Sequence, residues 1–94
     1  MRPVHPGEII REDVLKELDM SANAFAKAIG VPANRVTAVL HGKRGITVDT
    51  AMRIARYLGG SPQFWLDLQT AHDLRIAETA IGPKIERSVR PRAA

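Results

Sequence analysis

The chain has 94 residues, 14 Lys and Arg against 10 Asp and Glu, and a formal net charge of +4, which leaves room for one hydrophobic core but not for a second domain with its own. It contains no cysteine, which excludes disulfides and thiolate metal sites and fits a reducing compartment such as the cytoplasm. The opening residues turn acidic before any apolar run of signal-peptide length, and no stretch approaches the roughly 18 apolar residues of a membrane span, so a soluble protein with no membrane partner is expected.

The first predicted helix runs from Glu8 to Leu18, with Ile10, Val14 and Leu18 at i, i+4, i+8, Leu15 beside them, and charged residues on the rest of the wheel. Pro6 and Gly7 open it. Ser21 is a good N-cap for a second helix, SANAFAKAI, and Gly30 supplies a left-handed stop. After the turn Gly30-Val31-Pro32 a third helix spans Ala33 to His41, with Val36, Val39 and Leu40 as its apolar stripe and Gly42 as its stop. Lys43, Arg44 and Gly45 form a basic loop. Thr47 caps a fourth helix in which Ala51, Ile54, Ala55 and Leu58 repeat at helical spacing up to Gly59 and Gly60. Ser61 and Pro62 begin a fifth, rich in Phe64, Trp65, Leu68, Ala71 and Leu74, reaching Glu78 or Ala80. No segment alternates with period two for long enough to be a strand, so the expected fold is all-α, a compact orthogonal bundle of five helices over residues 1–80, followed by a basic, disordered tail at 81–94.

Charge is unevenly spread along this bundle. Residues 20–60 carry six basic groups and one acidic group, whereas residues 1–19 and 61–83 are net acidic and residues 84–94 net basic. A basic middle between acidic flanks is the footprint of a localised phosphate-binding surface. Within it lie the parts of a helix-turn-helix from Ser21 to His41: Ala26 as the small residue where two helices cross, Gly30 in the turn, Val31 as a plug, and Val36 and Val39 as anchors of the second helix. With those anchors buried, Asn34, Thr37, Ala38 and His41 face outward and Arg35 lies at the flank, the set that would enter a major groove. There Asn suits adenine, Arg suits guanine, and Thr or Ala can meet a thymine methyl. Ser21, Asn23, Lys27, Lys43 and Arg44 are placed to hold phosphates.

The segments HPGEIIREDV, SANAFAKAIGVPANRVTAVLHGKRGIT and DTAMRIARYLGGSPQFWLDLQTAHDLR resemble the HigA antitoxins of the Cro/C1-type (XRE) helix-turn-helix group. The helix-turn-helix is shared with many regulators; the opening HPGE and the closing SPQFWLDLQ are more particular to HigA-like proteins. The resemblance spans Met1 to Glu78. It implies a Cro/C1 repressor-like bundle in a homodimeric antitoxin that represses its own operon from double-stranded operator DNA. It also implies neutralisation of a RelE-like, HigB-type toxin that cleaves messenger RNA. A stand-alone transcriptional repressor without a toxin partner is the alternative.

The fifth helix carries more apolar residues than one stripe needs. Phe64, Leu68, Ala71 and Leu74 are therefore candidates for a dimer interface that would present two recognition helices to a pseudo-palindromic site, while Trp65 is read as core. The acidic residues Glu8, Glu12, Asp13 and Glu17 are a candidate surface for a basic toxin. His5, His41 and His72 are widely separated, and no metalloprotease, dinucleotide or phosphate-loop motif is present; neither catalysis, nor a metal, nor a cofactor is expected.

Overall fold

A computed structural model of the chain describes residues 3–93; Met1, Arg2 and Ala94, at the outer ends of the predicted domain and tail, lie outside the described residues. All secondary structure among those residues is helical, in six helices rather than the predicted five.

Helix α1 covers residues 6–18, and four consecutive residues build its start. His5 is the N-cap: its Nδ1 accepts a hydrogen bond from the Gly7 N–H at 2.9 Å. Pro6 occupies a first-turn position where a missing N–H costs nothing, and Glu8 brings a negative charge to the positive end of the helix. Gly7 lies so close to the end of the third helix that a Cβ there would sit 1.9 Å from the Val39 carbonyl oxygen.

Inside α1, α-helical turns at Pro6–Ile9 and Lys16–Leu18 flank a π-helical stretch, Ile10–Leu15. This alters the predicted stripe. Hydrogen bonds in a π-helix run to the fifth residue, and the buried pair of this stretch is Ile10 and Leu15. Val14 is only half-buried, and Leu18, expected on the stripe, is 44% exposed. A wheel drawn at 3.6 residues per turn cannot anticipate that shift.

Helices α2 (Ala22–Ile29), α3 (Ala33–Leu40), α4 (Val48–Leu58) and α5 (Pro62–Ala80) follow the expected boundaries closely. Ser21, Thr47 and Ser61 cap α2, α4 and α5 by accepting from the N–H groups of Ala24, Thr50 and Phe64. The core joins Ile10 and Leu15 of α1 with Phe25, Ala26 and Ile29 of α2, Val36, Val39 and Leu40 of α3, Ala51 and Ile54 of α4, and Trp65 of α5.

The tail predicted to be disordered carries a sixth helix, α6 (Gly82–Ser88). Gly82-Pro83 reads as a break, yet proline is tolerated in a first helical turn, and Ile81, Ile85 and Val89 recur at i, i+4, i+8. All three of these are exposed. With the distal part of α5, α6 draws the molecule out to 53 × 23 × 22 Å with a radius of gyration of 16.2 Å, against roughly 12 Å for a compact chain of this length. No described helix is long and apolar enough to cross a membrane.

The close approach of α1 makes its first turn sensitive to substitution. Gly7→Ala should destabilise the fold by about 1–3 kcal/mol in urea denaturation, because the new methyl meets a backbone carbonyl that cannot move aside; Gly82→Ala, with nothing within 4 Å of its Cβ, is the near-neutral control. The cap of the same helix should respond to pH. Partial burial and then the neighbouring His72 hold the His5 imidazole below its usual 6.5, only partly offset by Asp73 and Glu8. The two rings meet edge to face with centroids 4.9 Å apart. Folding thus favours neutral His5, so this contribution is complete above 6.5 and declines as pH falls below it. His5→Asn, which keeps a capping acceptor without titrating, should flatten the loss of stability between about pH 7 and about pH 5; unchanged pH dependence would exclude His5 as its source.

Candidate nucleic-acid interface

The helix-turn-helix is assembled from local backbone chemistry first. At the end of α2, Gly30 adopts φ +75°, the Gly30 N–H reaches the Lys27 carbonyl at 3.3 Å, and the Val31 N–H reaches the Ala26 carbonyl at 3.0 Å. This is a Schellman closure, and the apolar residue after it, Val31, is buried. Pro32 then precedes α3. At its far end Gly42, with φ +71°, repeats the device: Gly42 and Lys43 donate to the carbonyls of Val39 and Ala38 at 3.0 and 2.9 Å.

Side chains from neighbouring helices finish what the turns leave open. Arg11 of α1 donates through Nη1 to the Leu40 carbonyl at 3.1 Å, capping α3. Arg53 of α4 donates through Nη1 to the carbonyls of Ile29 and Gly30 at 3.0 and 3.1 Å, capping α2. Both place a cation at the negative end of a helix. The loop between α3 and α4 is held from α5: Gln69 Oε1 accepts from the buried Ile46 N–H at 2.8 Å, while Gln69 Nε2 donates to Asp73 at 2.9 Å. Gly45 allows the approach, since a Cβ there would meet Gln69 at 3.1 Å.

With Val36, Val39 and Leu40 inside, α3 exposes Asn34 and, at its end, His41, with Thr37 and Ala38 half-buried between them. The Thr37 hydroxyl is turned onto its own helix, donating to the carbonyls of Ala33 and Asn34, which leaves its methyl and its oxygen lone pairs for a ligand. Arg35 is placed differently: its Nη1 donates to Asp49 Oδ2 on α4 at 3.2 Å. Asn23 and Lys27 are exposed on α2, Ser21 is exposed but already used as its cap, and Lys43 and Arg44 are exposed after α3. Lys27, Lys43 and Arg44 have no ion-pair partner among the described residues, whereas Asp49, the only acid in this region, is shared by Arg35 and Arg53. The ten predicted residues thus divide into six exposed polar or cationic ones (Asn23, Lys27, Asn34, His41, Lys43 and Arg44), the half-buried Thr37 and Ala38, the cap Ser21, and one arginine held by a carboxylate.

Of the candidate dimer residues, Phe64, Ala71 and Leu74 are exposed on α5 and Leu68 is half-buried against the core; Trp65 is 5% exposed. Among the described residues no group of three or more His, Cys, Asp or Glu could hold a metal ion. Sequence reasoning missed Arg11, Arg53, Gln69 and Asp49. Only Gln69 left a signal, a polar residue one turn after Trp65 on a buried face.

Residues 11–65 match the helix-turn-helix family HTH_3. Virulence-associated protein I of Dichelobacter nodosus is 51% identical over 78 residues, covering 83% of this chain and 72% of that protein. An addiction module antidote protein of a HigA family from Coxiella burnetii superposes with a TM-score of 0.91 at 51% identity, over 98% of this chain and 100% of that one. The Pseudomonas aeruginosa antitoxin HigA, solved with the higBA promoter, superposes with a TM-score of 0.93 at 42% identity, over 98% and 100%.

The tie between Gln69 and the basic loop can be cut by one substitution. Gln69→Leu leaves the buried Ile46 N–H without an acceptor and should cost about 1–3 kcal/mol, with the Ile46 amide losing its protection from hydrogen exchange; a protected amide in that variant would refute the tie.

Proposed function

We propose, from the premise that this chain belongs to the HigA-type antitoxins of the HTH_3 helix-turn-helix family, that it is a sequence-specific DNA-binding antitoxin that represses its own operon and neutralises a HigB-type, RelE-like toxin that cleaves messenger RNA. The observation that carries the DNA half is the free set around α3. Asn34 is exposed on the helix and His41 at its end, and Lys27, Lys43 and Arg44 beside it are uncommitted cations. The Pseudomonas relative bound to its promoter supports the same use of the fold. In this reading residues 1–80 are the DNA-binding domain. Asn34, Arg35, Thr37, Ala38 and His41 meet base edges in the major groove, and Ser21, Asn23, Lys27, Lys43 and Arg44 meet phosphates.

Two copies joined through α5, with Phe64, Ala71 and Leu74 as exposed contacts beside Leu68, would set two recognition helices about 34 Å apart on a pseudo-palindromic operator. The antitoxin half rests on relatives named as an antidote and an antitoxin. Binding and repression, rather than catalysis, are then the work of this cytoplasmic protein.

The DNA half is tested by fluorescence anisotropy over a range of salt. Lys43→Ala should reduce the slope of log affinity against log salt by about 0.9 for each phosphate it no longer neutralises, while Asn34→Ala should relax preference at one base pair by about 1–3 kcal/mol; if neither moves, the assigned groove face is wrong. The antitoxin half is tested by pulling the tagged protein from its native cytosol. A small basic partner, harmful alone and harmless beside this protein, is expected; a clean preparation that still binds a specific duplex would instead favour a stand-alone repressor.

A further inference from the structure

We propose that Asp49 of α4 is a specificity-determining positioning residue, holding the Arg35 guanidinium of α3 as a fixed fork for a guanine. The inference rests on the DNA-binding reading above and adds to it a residue outside the recognition helix.

Arg35 lies on the flank of α3, where its side chain is only 27% exposed. Its inner edge is enclosed: Nε is buried without a hydrogen-bond partner among the described residues, and the side chain lines a cavity of about 10 Å³ with Val31, Val36 and Thr50. Nη1 is tied to Asp49 Oδ2 at 3.2 Å. With Nε enclosed and Nη1 tied, the donors left for a ligand are Nη2 and the second hydrogen of Nη1, at the far end of a side chain held on two sides. The tie is itself fixed. Asp49 Oδ2 also accepts from Arg53 Nε at 3.0 Å, and Arg53 is anchored through Nη1 to the carbonyls of Ile29 and Gly30. One chain of hydrogen bonds therefore runs from α3 through α4 to the end of α2.

This layout contributes little to stability. Asp49 is 56% exposed, solvent-exposed ion pairs are weak, and a buried donor is left unpaired. What it fixes is direction. A free arginine loses much rotamer freedom when it meets a base, whereas one already held loses less on binding, and a planar fork in a set orientation matches the paired acceptors of guanine.

Charge alone argues for the opposite outcome on mutation, which makes the proposal decidable. Asp49 is the one acidic residue among residues 20–60, so removing it should strengthen non-specific attraction to phosphates. If it positions Arg35, removing it must weaken sequence preference at the same time.

The test begins by selecting duplexes from a random pool with the wild type. Anisotropy is then measured on a selected duplex, its single base-pair variants and a random duplex, for the wild type, D49A, D49N, R35A and R35A/D49A, with thermal melting of each protein. D49A is expected to bind the random duplex at least as tightly as the wild type. Its preference should fall about tenfold, at the one position that R35A also relaxes. The double variant should lose no more than R35A, and D49N, which keeps an acceptor without the charge, should fall between. Preference retained at every position in D49A, preference lost evenly at all positions with a lowered melting temperature, or additive losses in the double variant would each overturn the proposal. A wild type that enriches no sequence and binds no duplex would overturn the DNA-binding reading itself, and this proposal with it.

Discussion

The placement of the helix-turn-helix depends on one contact in which two backbones touch. Gly7, in the first turn of α1, lies against the Val39 carbonyl in the last turn of α3 at a separation no side chain could share. Because α1 can come that near, Ile10 sinks fully into the core and Arg11 reaches the Leu40 carbonyl. The recognition helix is thereby held from behind and at its end, which leaves its front free. The neighbouring residues serve the same approach: His5 caps the helix from outside, Pro6 fills the buried corner, and the π-helical stretch carries Leu15 into the core where an ordinary turn would have offered Val14.

Polar ties complete what apolar burial begins. The helix-turn-helix has two helix ends whose carbonyls lack partners within their own helices, and each receives an arginine from a helix outside the motif, Arg11 for α3 and Arg53 for α2. Such a bond contributes only about 1 kcal/mol net, far less than a buried Phe25 or Ile54. Its value lies in angle rather than in strength. Apolar packing tolerates small rotations of a helix, whereas a guanidinium aimed at a carbonyl does not, and a recognition surface depends on the angle at which a helix is presented.

How much of this was legible follows from the range of each interaction. The caps at Ser21, Thr47 and Ser61, the left-handed glycine at position 30 and the anchors Val36 and Val39 are encoded within a few residues of where they act, and they read correctly from the chain. The HPGE segment was visible as a resemblance, but its physical meaning needed α3 beside it. Arg11, Arg53 and Gln69 act across 29, 24 and 23 positions, a range at which spacing carries no information. The commitment of Arg35 to Asp49 is of the same kind: the sequence puts it on the flank of α3, and only packing shows which carboxylate waits there. The sixth helix was missed for a different reason. A Gly-Pro pair marks both the end of one helix and the first turn of the next, and composition does not distinguish the two.

The elongated outline set by α5 and α6 divides the chain into regions of unequal local stability. Residues 83–93 are exposed throughout, so the backbone hydrogen bonds of α6 are protected chiefly by the helix itself, whereas those of α2 and α3 lie over the shared core. Local opening free energies follow burial. Opening the terminal arm therefore costs less than opening the body, and a change that orders or melts that arm can leave the helix-turn-helix in place.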